Sequence, residues 1–217
     1  MTERSYDDTC AMARALNVVG ERWTPLVVRE LLFGPKRFVD LRAGLPTISQ
    51  NVLARRIREM EQAGLVTRIL LDPPANVPAY RLTVRGLQLR PVLVELSRWG
   101  AFEPAPPEAK QSPAALLLGF IALYDPSRTD TTSTGVVTMG RESFMLTASP
   151  EGLEIERGDG AADFRIAGTV AAIRAVLGTG ADATPYEAGG ELTITGDRAS
   201  LARLSRCFPP PVLSPAA

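Results

Sequence analysis

Apolar residues recur at helical spacing through the first hundred residues, in short stretches separated by turn formers. The first predicted helix carries one apolar stripe and stops at Gly20; the stripe comprises Met12, Ala15, Leu16 and Val19. A second helix is predicted for LVVRELLF, with Thr24 as its N-cap, Pro25 as its first residue and Gly34 as its end. The segment FVDLRAG predicts a short third helix.

A fourth helix follows Pro46. Thr47 and Gln50 fit a T-x-x-Q capping box, so the helix is predicted to begin at Thr47, with Ser49 as the alternative cap. One face of this helix is apolar, with Leu53, Ile57 and Met60. Steps of about 100° per residue place the polar side chains on the opposite face: Asn51, Arg55, Arg58 and Gln62.

Two β-rich segments, LVTRILL and AYRLT, follow this helix and flank the turn-forming sequence DPPANVP. A helix that fits a groove and a hairpin directly after it are typical of a winged helix-turn-helix, which binds duplex DNA. After the hairpin, VRGLQLRPVLVELSRWG predicts a helix that Pro91 kinks by deleting a backbone hydrogen bond.

The predicted DNA contacts are divided by their chemistry. Asn pairs with adenine and Arg with guanine in the major groove, so Asn51 and Arg55 are the first candidates for base contacts, with Gln50 third. The remaining basic residues are predicted to contact phosphate or the minor groove: Arg56, Arg58, Arg68, Arg81, Lys36 and Arg37. An ordinary amphipathic helix with a solvated polar face would show the same periodicity, and the hairpin is what favours DNA binding.

The two halves of the chain differ in net charge. Residues 1–100 carry 15 Lys and Arg against 10 Asp and Glu, a surplus of five positive charges. Residues 101–217 carry 9 against 14, a surplus of five negative charges. A fixed positive surplus attracts phosphate and releases its counterions, so the first half suits double-stranded DNA and the second does not.

The composition excludes several classes of function. The chain has no histidine, which removes imidazole bases and histidine-ligated metal sites. Its two cysteines are far apart in sequence and form no CxxC pair. No nucleophile-base pairing is evident, so we expect no enzymatic activity, no metal and no cofactor.

No apolar run approaches the roughly 20 residues that span a bilayer, and the N-terminus lacks the apolar segment of a signal peptide. We therefore expect a cytoplasmic protein with no membrane partner.

The second half is predicted to be a separate α+β domain. AALLLGFIALYD and TVAAIRAVLG read as helices, the latter ending at Gly178, and Asp197 is predicted to cap a last helix. Five segments read as strands, in which apolar and polar residues alternate: VVTMG, ESFMLTA, LEIER, DFRIAG and ELTIT. The predicted divisions are a winged helix domain at 1–100, a Pro-rich linker at 101–113, an α+β domain at 114–208 and a disordered tail at 209–217.

Several motifs of the first domain together resemble one family. They are G-x-R-W at 20–23, LL-x-G-x-KRF at 31–38, ISQ-x-VLARR at 48–56 and LT-x-x-G at 82–86, preceded by Cys10. Residues 8–100 are similar in these motifs to the HxlR-type regulators of the MarR-like winged-helix group. The resemblance implies a transcriptional regulator that acts as a homodimer on a palindromic operator.

The same resemblance implies roles for the terminal helices and for the cysteine. Met12, Leu16 and the segment 93–99 are expected to face a partner chain, unless they fill the core of their own domain. Some family members look like thiol sensors with a cysteine at the position of Cys10. Asp7 and Asp8 are expected to raise the pKa of the Cys10 thiol, which favours the alternative of a small, packed cysteine.

Residues 112–208 resemble the sterol carrier protein type domain, in which a helix-covered antiparallel sheet encloses an apolar tunnel. The resemblance implies an apolar small-molecule effector, with tunnel-lining residues drawn from Phe120, Phe144, Leu153, Phe164, Ile173 and Leu177. Alternatively, these side chains fill the core.

The sequence thus predicts a DNA-binding repressor controlled by an apolar ligand. One alternative is a constitutive repressor whose second domain only supports dimerisation. Another is a lipid-binding or catalytic protein whose winged helix contacts other proteins, which would leave the outward Asn51, Arg55 and Arg58 without a purpose.

Overall fold

The structure, a computed structural model, describes residues 6–72, 76–104 and 110–210. The chain divides into two units between Leu93 and Val94. Parts of three predicted segments lie outside the described residues, namely the hairpin tip at 73–75, the linker at 105–109 and the tail at 211–217. No helix among the described residues is long and apolar enough to cross a membrane.

The first hundred residues form six helices and one hairpin within the described part of the chain. In chain order these are α1 (Ala11–Val19), α2 (Thr24–Leu31), α3 (Phe38–Gly44), α4 (Gln50–Gln62), β1 (Val66–Leu70), β2 (Pro78–Leu82), α5 (Val84–Leu87) and α6 (Arg90–Gly100). The strands pair antiparallel, with Val66 opposite Leu82 and Leu70 opposite Pro78. The helix-then-hairpin order predicted from the sequence is confirmed.

The predicted caps at Thr24 and Thr47 are wrong, and the alternative cap Ser49 is confirmed. Helix α4 begins at Gln50, and its cap is Ser49, whose Oγ accepts a hydrogen bond from the backbone N–H of Val52 at 3.3 Å. Thr24 lies inside α2, where it is 1% exposed, and Trp23 holds the cap position. Thr24 does not cap the helix, because its buried hydroxyl makes no hydrogen bond within the described residues.

Pro91 does not kink a continuous helix. The chain breaks into α5 and α6 before it, and Pro91 is the second residue of α6. The first N–H groups of a helix have no intrahelical partner, so a proline at this position deletes no hydrogen bond.

The second unit contains a five-stranded sheet with helices. Its elements are α7 (Pro113–Leu123), β3 (Ser133–Met139), β4 (Glu142–Ser149), β5 (Gly152–Arg157), β6 (Phe164–Gly168), α8 (Val170–Ile173), α9 (Thr184–Ala188), β7 (Leu192–Gly196) and α10 (Arg198–Arg206). A 3-10 turn covers Pro126–Arg128, and Asp197 caps α10 through a 2.8 Å bond from the Ala199 N–H, as predicted. The α+β class is confirmed for this region.

The expectation of a purely antiparallel sheet is wrong. The strand order is β5-β4-β3-β6-β7, and β6 pairs parallel to β3 while the other pairs are antiparallel. The reason is the connection between β5 and β6: the chain returns beside β3 instead of folding back along β5. A strand that rejoins a sheet through such a crossover can run in the direction of its new neighbour.

The predicted helix TVAAIRAVLG is also divided. Its first part is α8, capped by the Thr169 hydroxyl, and Arg174–Gly178 form a π-helical turn. The Ser205 hydroxyl of α10 donates to the Val176 carbonyl of this turn at 3.2 Å. A side chain from another element thus satisfies backbone that has left regular α-helical pairing.

The predicted alternation of buried and exposed strand residues is confirmed in β5 and β6. In β5, Leu153 and Ile155 are buried, and they alternate with Glu154 and Glu156, which are exposed. The six residues predicted to line a tunnel are all buried, at 8% exposure or less: Phe120, Phe144, Leu153, Phe164, Ile173 and Leu177. They pack in the core of the second unit.

The packing of Phe164 against β3 generates a stability prediction. A Cβ built on Gly135 would lie well under 3.0 Å from the Phe164 ring, which is 0% exposed. We expect Gly135→Ala to destabilise this unit by about 1–3 kcal/mol in urea unfolding, because the added methyl overpacks the core.

Gly119→Ala is the matched control. Gly119 lies within α7, and a Cβ there would meet nothing within 4 Å. Alanine has a higher helix propensity than glycine, so this variant should be more stable than the unmodified chain by up to about 1 kcal/mol. Equal stability of Gly135→Ala and the unmodified chain would contradict the packing described.

Candidate nucleic-acid interface

One face of α4 is open to solvent while the other is buried. Leu53, Ile57 and Met60 are at most 2% exposed, and they hold the helix on the domain core. Four polar residues predicted to contact DNA are exposed: Gln50, Asn51, Arg55 and Arg58. At about 100° per residue, Asn51, Arg55 and Arg58 share one helix surface, whereas Gln50 lies towards the apolar face and is exposed at the first turn.

The outward arginines are available for a ligand. The Arg55 side chain is 58% exposed, and its Nε lies 3.8 Å from Oε1 of Glu59 one turn later. Exposed pairs of this kind contribute little and give way readily to a stronger partner. Gln50 and Asn51 lie in the first turn of α4, where free N–H groups and the helix dipole favour negative charge.

The hairpin presents its two arginines on opposite faces. Arg68 is paired with Tyr80, whereas Arg81 is paired with Thr67, one residue out of phase. Side chains alternate between faces along a strand, so Arg68 and Arg81 leave the ribbon in opposite directions. Both are exposed. They therefore do not form one cluster.

The prediction that Lys36 contacts phosphate is contradicted. Lys36 is 6% exposed, and its Nζ lies 2.9 Å from Oε2 of Glu30, which is 0% exposed. An ammonium committed to a buried carboxylate cannot also neutralise a phosphate. One feature of the sequence indicated this buried pair: Glu30 lies on the apolar face of α2, three residues after the buried Val27.

Arg56 is likewise withdrawn from the surface, so its prediction as a phosphate contact is also wrong. It is 7% exposed, and its guanidinium pairs with Glu21 at 2.9 Å and with Glu59 at 2.6 Å. A step of about 100° from Arg55 turns it towards the domain. It joins α4 to the turn that follows α1.

Arg37 remains exposed, and it forms an ion pair with Asp40 at 2.7 Å. The hydrogen bond from the Arg37 guanidinium lowers the pKa of the Asp40 carboxyl. Because both side chains are more than two fifths exposed, this pair is weak and Arg37 stays available to a phosphate.

The thiol of Cys10 is exposed at the start of α1. Its pKa is lowered by the backbone N–H groups of Ala13 and Met12 in the first turn of the helix. The expectation that Asp7 and Asp8 raise this pKa is therefore wrong; the Asp8 carboxylate instead accepts a hydrogen bond from the Cys10 N–H at 2.8 Å. Cys207 is buried, and burial raises the pKa of its thiol.

The second unit has a partly open cleft of about 390 Å³ between the π-helical turn, β7 and α10. Val176, Ile194 and Leu201 give it an apolar floor, and Arg198 and Arg206 stand at its polar side. None of the six residues predicted to line a tunnel lines this cleft. Within the described ranges, no three acidic or cysteine side chains cluster closely enough to hold a metal ion.

Comparison with known proteins accounts for the first unit. The model of the HxlR-like helix-turn-helix family matches residues 18–105. The transcriptional regulator YvaP of Bacillus subtilis is 38% identical over 87 residues, which cover 40% of this chain and 80% of that protein. The chain belongs to the HxlR-like family. It is a DNA-binding transcriptional regulator of the winged helix-turn-helix type.

Two further matches concern one relative. YodB of Bacillus subtilis, an HTH-type transcriptional regulator, is 39% identical over 89 residues, covering 41% of this chain and 79% of YodB. The crystal structure of quinone-bound YodB from that organism is 36% identical and covers 41% of this chain and 93% of that one, with a TM-score of 0.36.

The open face of α4 generates a prediction about base reading. We expect Asn51→Ala and Arg55→Ala each to lower affinity for a selected duplex by about tenfold or more and to relax the preference at one base pair, because each removes a bidentate base contact. Selection from random-sequence DNA with each variant measures both effects.

Arg58→Gln is the comparison variant. As a phosphate contact it should weaken binding to all sequences alike and reduce the slope of affinity against salt by about one. Unchanged sequence preference in the Asn51 and Arg55 variants would show that α4 does not read bases.

Proposed function

We propose that this HxlR-like regulator is a homodimeric repressor that occupies a palindromic operator. The observation that carries the proposal is the division of α4 into a packed apolar face and an open face with Asn51, Arg55 and Arg58. In a dimer, two such helices enter successive major grooves about 34 Å apart. Occupation of one to two turns of duplex blocks access of polymerase to the same DNA.

Exposed apolar side chains on two helices support the dimer. On α6, Val92, Leu96 and Trp99 recur at i, i+4 and i+7, and they are 56%, 52% and 68% exposed. On α1, Met12 is 66% exposed. Apolar stripes of this kind mark interaction surfaces. Leu93, by contrast, is 7% exposed and belongs to its own chain's core, which corrects its expected place at the interface.

The second unit is proposed to control binding by accepting an apolar effector. Residues 101–217 carry a surplus of negative charge, which disfavours DNA binding by this unit. A ligand site here would be a second site, distinct from the DNA-binding surface, as ligand control requires. Its helix-covered sheet supports the proposed likeness to sterol carrier protein domains, and the cleft against α10 offers a place for a small apolar molecule. A ligand that prefers one dimer geometry would shift the helices away from the half-site spacing.

The competing possibility is a constitutive repressor whose second unit only strengthens the dimer. It makes no use of the cleft, and it predicts that operator affinity does not depend on any small molecule. We propose the same cytoplasmic location as other DNA-binding regulators require, with no enzymatic activity.

The effector proposal is tested on the full chain with fatty acids, acyl thioesters and aromatic carboxylates. We expect at least one class to change operator affinity by about tenfold, a coupling of about 1.4 kcal/mol. Ala202→Trp should abolish the response because it fills the cleft, of which Ala202 is a lining residue.

Ala199→Trp is the matched control. Ala199 is an exposed residue of the same helix and does not line the cleft, so this variant should respond normally. If no compound in the panel binds the chain or alters its operator affinity, the second unit is structural and the constitutive alternative holds.

A second mode of control through Cys10 is favoured by the exposure and lowered pKa of its thiol. The thiolate is proposed to add to a ring carbon of a quinone, so that one S–C bond forms and one ring C=C π bond breaks. One ring oxygen takes a proton from water. The hydrogen of the attacked ring carbon then passes through water, as a proton, to the other oxygen, and a hydroquinone thioether results. We expect benzoquinone to reduce operator affinity of the unmodified chain and not of Cys10→Ser.

Cys207→Ser serves as the control, since its buried thiol should react slowly and the variant should respond like the unmodified chain. An equal response of Cys10→Ser and the unmodified chain would rule out sensing by this residue.

A further inference from the structure

A buried ion pair lies at the centre of the winged-helix unit. Glu30 of α2 is 0% exposed, and its two carboxylate oxygens pair with Lys36 Nζ at 2.9 Å and with Arg29 at 2.8 Å. Burying charges is unfavourable unless each is paired and hydrogen-bonded. The Glu30 carboxylate meets both conditions, but well-packed apolar residues often stabilise a core as well as such a pair does, so the pair is weak evidence for a role in stability.

The surrounding backbone is shaped around this carboxylate. Gly44 ends α3, and a Cβ built on it would lie well under 3.0 Å from Oε2 of Glu30. Gly44 is not in the left-handed region, so the need for glycine is one of space and not of backbone conformation. The carboxylate of Glu30 thus sits between α2, the end of α3 and the Lys36 side chain.

Lys36 also belongs to the wing. Its N–H donates to the Tyr80 carbonyl at 3.0 Å, and the Tyr80 N–H donates to the Lys36 carbonyl at 2.9 Å. This reciprocal pair makes Lys36 a one-residue third strand beside β2. The same residue is therefore bonded to the hairpin through its backbone and to α2 through its side chain.

We infer that Glu30 and Lys36 are positioning residues for DNA binding, which fix the angle of the β1–β2 wing against α2 and α3. Neither touches DNA. This inference rests on the proposed function, and it also requires the contacts of Arg68 and Arg81 with the duplex that the sequence predicts.

The physical reason is that a hydrogen-bonded ion pair holds its two charged groups at a specific distance and orientation. Apolar residues of similar volume often stabilise a core as well as a buried ion pair does, but they do not specify one orientation of the groups they join. If the pair served stability alone, an apolar replacement that folds would bind DNA normally. If it sets the wing angle, the same replacement would fold and bind weakly.

The test uses the full chain and a duplex of about 30 base pairs, isolated from random-sequence DNA by repeated binding to the unmodified protein. The main variant is Glu30→Gln. It removes a negative charge from the DNA-binding unit, so charge alone predicts tighter binding. We expect instead a loss of about tenfold in affinity and a salt slope smaller by about one to two, because the wing contacts are lost.

A double-mutant cycle with the wing separates positioning from other effects. In the unmodified chain, Arg81→Gln should weaken binding by about fivefold with a slope smaller by about one. In the Glu30→Gln background the same change should cost less than about twofold, since residues that act through one element are not additive. Hydrogen exchange of the Tyr80 amide should also quicken in Glu30→Gln relative to amides of α4.

Two controls keep the result independent of stability. Leu41→Ala opens a cavity at a fully buried residue of α3 and leaves the ion pair intact, so it should unfold more easily and retain its affinity. The double variant Glu30→Leu with Lys36→Met replaces the pair by apolar groups. It provides the binding measurement if Glu30→Gln fails to fold, and it should bind about tenfold more weakly than the unmodified chain.

The outcomes are distinct. Unchanged or tighter binding by Glu30→Gln or by the folded double variant, with an unchanged salt slope, overturns the inference and leaves the proposed function intact. If Arg68→Gln and Arg81→Gln have no effect in the unmodified chain, the wing does not contact DNA; the inference then falls with the predicted wing contacts, while the proposed role of α4 stands.

Discussion

The structure depends first on burial of the apolar face of α4. Leu53, Ile57 and Met60 are almost wholly removed from water, at roughly 1.5–3 kcal/mol for each side chain. This burial fixes the rotation of the helix about its axis. Rotation in turn assigns a role to each neighbouring arginine: Arg55 faces solvent, whereas Arg56 is turned inward to Glu21 and Glu59. Exchanging these roles would require a rotation of α4 by about 100°, which would expose its apolar face.

The elements were predictable where periodicity carried the signal. The first four helices and the hairpin, the exposed face of α4 and the alternating strands of the second unit all follow from spacings of 3.6 and 2 residues. The break between α5 and α6 did not follow, since residues 84–100 show one helical pattern. Features that depend on distant partners were not predictable. Lys36 and Arg56 looked like surface cations, because the sequence does not show that Glu30 and Glu21 approach them. The parallel pairing of β6 similarly depends on where the chain returns to the sheet.

The cationic side chains of the DNA-binding unit fall into two groups with different roles. Cations on exposed faces, such as Arg55, Arg58 and Arg81, are free to meet a polyanion, whereas the buried ones join the helices to each other and to the wing. The second unit contributes no such surplus and has a cleft instead. DNA recognition and the proposed effector site therefore lie in parts of the chain with opposite net charge, and a negative surplus does not attract DNA non-specifically.

Protection of guanine N7 from dimethyl sulfate tests most directly whether α4 lies in the major groove, because N7 is exposed only there. On a duplex selected by the full chain, the account predicts two clusters of protected guanines about one helical turn apart, roughly 34 Å, with protection reduced in Arg55→Ala. Binding that leaves every guanine N7 reactive would contradict it, since the chain would then hold the phosphate backbone without reading bases.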